Sequence, residues 1–287
     1  MPVPSVLHSS SPPSVWSHFN PVAMAASLWR SRHLTWQVAS RDLATRYKQT
    51  YLGGLWTLIN PLATMGIFVL AFGFILVDPS SPASGRSVPN FAVQLFACLL
   101  VFGVFTECVS AAPRLVSSRR EFVTRVVFPI EVLPVSALIV ALANMAFGFV
   151  VWLLGYLVLW QDLPPWTVVF FPLVLLPLCL LTLALSWVLA SLGVFIRDMG
   201  PAVTLGVQLI FWGSPIVYEI SRVPPSLRPL FNLNPLTHVM EQSRAVLIGG
   251  QMPDFAWLGL ATLASLVLAV LGYGFFSKSK RAFADVL

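Results

Sequence analysis

Charge is scarce in this chain of 287 residues: Asp, Glu, Lys and Arg together supply 10% of it, against 57% hydrophobic residues. A water-solvated surface can hardly be drawn from so few charges. Cysteine is equally sparse, and Cys98, Cys108 and Cys179 all fall inside apolar stretches, which argues against a disulfide framework. The four histidines are scattered without ligand spacing, so no metal site is expected. No Asn-x-Ser/Thr acceptor occurs. Nor does any G-x-x-x-x-G-K-S/T loop, whose backbone amides would cradle phosphates, so the chain is not expected to hydrolyse ATP alone. No nucleophile and base stand at catalytic spacing. Residues 1–23 are rich in Pro and Ser and lack the basic and apolar regions of a signal peptide. They read as a disordered cytoplasmic tail.

What the chain does have is a series of long apolar runs. About 20 apolar residues of helix cross the hydrocarbon core, and six such runs are present, over residues 53–77, 90–112, 128–160, 166–194, 201–220 and 255–276. The third and fourth exceed the required length, which implies tilt or a start among the headgroups. The expectation is an all-α integral membrane protein with a six-span domain over 53–276 and a short tail over 277–287. With six spans both termini share one side, and thirteen of the 17 Lys and Arg fall there. That asymmetry places both termini in the cytoplasm. The net charge of +6 then reports anionic headgroups, since no soluble basic face exists for nucleic acid.

Residues 24–52 mix Leu28, Trp29, Trp36 and Leu43 with Arg30, Arg32, Arg41 and Arg46. Such a mixture suits an amphipathic helix lying in the interface, with indoles among the headgroups and guanidiniums in water. It fits a surface anchor and a collar around a transport path equally. The basic cluster then abuts Gly53-Gly54, Trp56 and Asn60-Pro61, so the first span should be kinked near its start. Residues 113–127 alternate Arg114, Arg119, Arg120, Glu121 and Arg125 with Phe122 and Val123. The arginines alone hold such a loop inside, while the alternation suits a docking surface. Residues 221–254 contain two apolar stretches, near 227–233 and 237–248, each too short to span and thus re-entrant or interfacial. Glu107 and Glu131 lie at the cytoplasmic ends of spans two and three, where pairing with the arginine belt is expected.

Four motifs in order carry a family resemblance. Arg46-Tyr47-Lys48 leads to Leu52-Gly53-Gly54-Leu55-Trp56 and Asn60-Pro61. Phe128-Pro129-Ile130-Glu131-Val132-Leu133-Pro134 opens the third span. Phe195-Ile196-Arg197-Asp198 forms the turn between spans four and five, and Gly213-Ser214-Pro215 is followed by Asn232-Leu233-Asn234-Pro235. Together they resemble the polysaccharide ABC exporter permeases, the type 2 ABC transporter membrane subunits that include the Wzm-type O-antigen and TagG-type teichoic-acid exporters. The match runs from Arg41 to Leu236 and leaves the N-terminal tail unmatched.

The resemblance implies a type 2 ABC exporter permease fold and a homodimer working with two copies of a separate ATPase that binds ATP and Mg. It implies a polyprenyl-pyrophosphate-linked glycan as cargo and the bacterial cytoplasmic (inner) membrane as location. It makes 113–127 a coupling helix, with Arg114, Arg119, Arg120, Glu121, Phe122 and Arg125 facing the ATPase. It makes 221–254 a cap on the extracytoplasmic end of the path. Spans one and five would line that path, with Trp56, Phe68, Phe72, Phe211, Trp212 and Tyr218 as stacking surfaces for sugar, although packing against lipid serves any one of them as well. Arg46, Tyr47 and Lys48 stand where a lipid pyrophosphate would be met, or ordinary lipid phosphates. Two alternatives are a type 2 exporter of drugs or small lipids, and an ion-driven secondary transporter. The second would need an intramembrane carboxylate or His constellation that is missing.

Overall fold

In hydrocarbon a backbone can satisfy its polar groups only within its own segment or in a closed barrel, and long uninterrupted apolar runs choose the helix. A computed structural model describes residues 20–48, 51, 53–75, 84–119, 128–218, 220 and 223–286, and every regular element among them is helical. The α-helices are α1 (Pro21–Arg30), α2 (Arg32–Lys48), α3 (Trp56–Ile75), α4 (Ser84–Ala111), α5 (Val132–Trp160), α6 (Phe171–Phe195), α7 (Met199–Trp212), α8 (Arg228–Asn232), α9 (Pro235–Leu247), α10 (Phe255–Ser279) and α11 (Phe283–Val286). Short 3-10 turns precede α3 and α6 and follow α4 and α10. Among the described residues four helical stretches are long and apolar enough to cross a membrane: Phe91–Arg114, Val132–Trp160, Trp166–Phe195 and Phe255–Ala282. At ~1.5 Å per residue α5 is about 43 Å long, more than the ~30 Å hydrocarbon core requires. Helix α3 adds 20 mostly apolar residues, with Pro61 inside it.

Two boundaries differ from the sequence expectation. The run over 201–220 is not one spanning helix. Its helix, α7, has 14 residues and ends at Trp212, about 21 Å of rise. Pro215 disfavours helical backbone at Ser214, and the Gly213 amide turns back to the Leu209 carbonyl at 2.9 Å. The second difference is at the N-terminal side, where 24–52 is two helices rather than one. They break at Ser31, whose backbone leaves helical geometry (φ −93°, ψ 9°).

Helix starts follow local chemistry. Asn20 accepts from the Val22 amide, Asn234 from Leu236 ahead of α9, and Asp254 from Ala256 and Trp257 at the head of α10. These caps satisfy donors that a first turn leaves free. Pro235 adds a preset φ at the first position of α9. Helices α8 and α9, of five and 13 residues, stand over the two short apolar stretches of 221–254.

The larger core gathers α4, α5, α6 and α9. Trp152 on α5 donates its indole N–H to the Val93 carbonyl of α4 at 3.2 Å, and Phe149 stacks between Trp152 and Phe171. A second core lies at the bundle end carrying the loop after α4, where Met24, Leu115, Val116, Leu133, Trp187, Phe276 and Phe283 meet. Met24 fastens α1 to the bundle in this way. Helix α10 lies along α6, and at their closest approach small residues face one another. A Cβ on Gly272 would stand 2.5 Å from the Ala184 carbonyl oxygen. Small residues let membrane helices close to backbone contact. Gly272→Ala should therefore lower stability by about 1–3 kcal/mol, read as a fall in melting temperature of the detergent-solubilised protein. An unchanged melting temperature would show that α6 and α10 can part without cost.

Candidate functional site

The residues singled out from the sequence fall into three places. The first is the end of α2. Asp42 and Arg46 stand one helical turn apart, so they share a face. Arg46 Nη1 meets Glu107 Oε1 of α4 at 2.5 Å, and Asn144 Nδ2 of α5 donates to both oxygens of that carboxylate, at 2.8 and 3.0 Å. Asp42 forms an ion pair with Arg119 in the loop after α4. Helix α2 is thus tied at one point to the spans and at another to the loop. Glu107 pairs with an arginine as expected, but with the one assigned to the lipid pyrophosphate. Arg46 keeps half of its side chain exposed (49%). The side chains of Tyr47 and Lys48 lie outside the described residues.

Asn144 was missed by the sequence reading. Its signal was a lone amide in an apolar helix, which hydrocarbon tolerates only with a partner. Beside this cluster an apolar cavity of about 720 Å³ opens between α2, the start of α3 and α5, lined by Trp36, Leu43, Gly54, Leu58, Ile139 and Phe147 among others.

The second place is the loop after α4. It begins as two 3-10 turns, Ala112–Arg114 and Ser117–Arg119. Ala112, Pro113, Leu115 and Val116 are buried, whereas Arg114 is exposed. The loop backbone is pressed on α6, since a Cβ on Gly193 would stand 2.6 Å from Pro113 Cα. Arg114 reaches toward the start of α7, where a Cβ on Gly200 would be 3.6 Å from its Nη2. Arg120, Glu121, Phe122 and Arg125 lie outside the described residues. Glu131, at the start of α5, pairs among the described residues with Lys280 of the C-terminal segment. Burial explains the choice: the carboxylate is nearly sealed, and the Trp187 indole, donating to the Glu131 carbonyl at 3.1 Å, holds that backbone under α6.

The third place is the aromatic set on α3 and α7. Trp56 is 37% exposed and Trp212 69%. Phe211 turns inward instead, its ring 5.3 Å from that of Phe102 on α4. Tyr218 lies beyond α7, donating its hydroxyl to the Trp212 carbonyl at 2.7 Å and meeting Phe231 edge-on. The side chains of Phe68 and Phe72 lie outside the described residues. Past α7 the chain is held by groups the sequence reading had only counted as charges or motif letters. The Arg244 guanidinium of α9 donates to the carbonyls of Pro215, Ile216 and Tyr218, and Asn234 donates to the Gly213 carbonyl and Ser214 Oγ.

Long apolar helices with a basic helix tied to them by ion pairs are the architecture of a membrane-embedded protein. Residues 33–248 match the ABC-2 type transporter family, and the chain belongs to it. Among its relatives is the O-antigen export system permease protein RfbA of Myxococcus xanthus, 32% identical over 92% of this chain and 99% of that protein. The protein of the same name from Klebsiella pneumoniae is 24% identical over 87% and 93%. The polysialic acid transport protein KpsM of Escherichia coli is 23% identical over 84% and 92%.

Removing the shared carboxylate tests the first cluster. Glu107→Ala removes the acceptor that Asn144 and Arg46 share, at an expected cost of about 1–3 kcal/mol. It should also speed amide hydrogen exchange along residues 32–48. Exchange at the wild-type rate would mean that α2 is held by its apolar face alone.

Proposed function

We propose that this chain is the permease subunit of an ABC exporter that moves a polyprenyl-pyrophosphate-linked polysaccharide, an O-antigen or similar glycan, across the bacterial inner membrane. The observation that carries the reading is the end-to-end match to an O-antigen export permease, with 92% of this chain and 99% of the relative aligned. The chain acts as a homodimer with two copies of a separate ATPase, which bind ATP and Mg. Six crossings are completed by α3 and by α7 with the segment beyond it, and both termini lie in the cytoplasm. Residues 113–127 form the coupling helix, and their described part supports this: the loop is seated by buried apolar residues while Arg114 remains open.

At the inner headgroup level the lipid pyrophosphate meets Arg46, Tyr47 and Lys48. A pyrophosphate carries more charge than Glu107 and competes with it for the guanidinium. Asn144 keeps the freed carboxylate hydrogen-bonded in the meantime. The apolar cavity beside Leu43 and Leu58 suits the first isoprenoid units of the same lipid. ATP-driven closure of the ATPase pair then reaches the spans through the coupling helix, and sugar passes between the two copies along the first and fifth spans.

Purification from native membranes should recover an ATP-binding subunit in equal amount. Arg46→Gln with Lys48→Gln should lower glycolipid-stimulated ATP hydrolysis by about tenfold or more, the loss of charged hydrogen bonds. Full stimulation in that variant would remove the pyrophosphate contact. A chain that purifies alone and ignores glycolipid would defeat the assignment.

A further inference from the structure

Helix α10 ends at Ser279, and a 3-10 turn, Lys280–Ala282, leads on into α11. The contacts of this short extension go to the connections at that end of the bundle. Phe283 is fully buried, its ring 5.5 Å from that of Phe276 and 5.8 Å from that of Phe195, the last residue of α6 before the turn into α7. The same core holds Ala112, Leu115 and Val116, where the chain leaves α4, and Ile130 and Leu133, where it enters α5. Lys280 reaches the carboxylate of Glu131, between Ile130 and Leu133. Both ends of the loop after α4 and the turn after α6 thus share one small cluster.

Glu131 is gripped twice, by Lys280 at its carboxylate and by the Trp187 indole at its carbonyl. The start of α5 is thereby fixed to α6 and to the C-terminal segment together. A buried ion pair adds little net stability over apolar packing of the same volume, and its best-attested use is to fix register. The arrangement here has that character: a charge is spent to place one residue, at the point where the loop becomes a helix.

We propose that the segment Lys280–Val286 is a brace, in which Lys280 and Phe283 are positioning residues that hold both ends of the loop after α4 and the turn after α6 as one body with α5 and α6. The inference rests on the ATP-driven exporter reading above and adds to it the part of the chain that sets how much transport each ATP yields. A packed core shifts as a unit and does not deform continuously. With the brace in place, a push on the loop carries Ile130, Leu133 and hence α5 along with it. Without the brace the loop tilts about its own ends, and ATP is spent while the spans stay where they are. Lys280 touches neither ATP nor cargo in this account and acts through Glu131.

The test uses the permease with its ATPase in proteoliposomes and reads two rates, ATP hydrolysis and export of the polyprenyl-linked glycan. Lys280→Met and Phe283→Leu should each raise the ATP consumed per glycan exported by about two- to tenfold, with the ATPase recovered in equal amount. Lys280→Arg keeps the cation and should restore most of the wild-type ratio. An unchanged ratio, with the two rates falling together or not at all, would overturn the brace and leave Lys280 a packing contact. Hydrogen exchange on the permease alone gives a second reading that needs neither ATPase nor cargo. In Lys280→Met the amides of residues 112–119 and 130–133 should exchange about tenfold faster, the loss of one charged contact, while those around Trp152 keep their rate. Wild-type exchange at both ends of the loop would equally overturn the brace. A wild-type complex that neither hydrolyses ATP nor moves glycan would instead strike down the exporter reading, with the exchange result still deciding the brace.

Discussion

Hydrocarbon returns no hydrogen bonds, and the arrangement of polar groups in this chain follows from that constraint. Hydroxyls on the helices bond back to their own turns, as Ser136 does to Leu133, Ser191 to Trp187 and Ser243 to Val239. Two carboxylates on the long helices are each paired with a cation from a distant part of the chain, Glu107 with Arg46 and Glu131 with Lys280. Thr182 and Ser186 on α6 hold buried hydroxyls with no partner among the described residues. They are small enough to serve close helix packing without one.

Pairing of this kind makes the ionic contacts long-range in sequence and short in space. The C-terminal segment is drawn under α5 by Lys280, and Phe283 beside it completes the second core. Helix α2 is drawn to α4 by Arg46 and to the loop after α4 by Asp42. Helix α2 and the loop after α4 are consequently joined directly, through the Asp42–Arg119 ion pair.

Much of this was legible in the sequence. Apolar length alone located the long helices to within a few residues, because burying a backbone in lipid demands whole helices. The stop of α7 at Trp212 was harder to read. The apolar run continues through Ile216 and Val217, so hydropathy extends the segment, and only Gly213 with Pro215 marks the break. Partner choice was not legible. Glu131 pairs with Lys280, 149 residues away in sequence, and that meeting depends on how α10 packs along α6. Aromatic identity likewise did not reveal direction: Phe211 and Trp212 are neighbours, and the step of about 100° between adjacent helical residues sends the first into the core and the second outward. Asn144 was readable in principle as a polar letter in an apolar run, a weaker signal than a charge.

One guanidinium, that of Arg244, gathers the carbonyls of Pro215, Ile216 and Tyr218 onto α9. Asn234 fastens the same segment from the other end of that helix. The segment and α9 therefore behave as one plate. Its natural hinges are Gly213 on one side and Gly250, in the left-handed region at φ +61°, on the other. A movement of α9 would carry Pro215, Ile216 and Tyr218 with it, because a single side chain holds all three carbonyls at once.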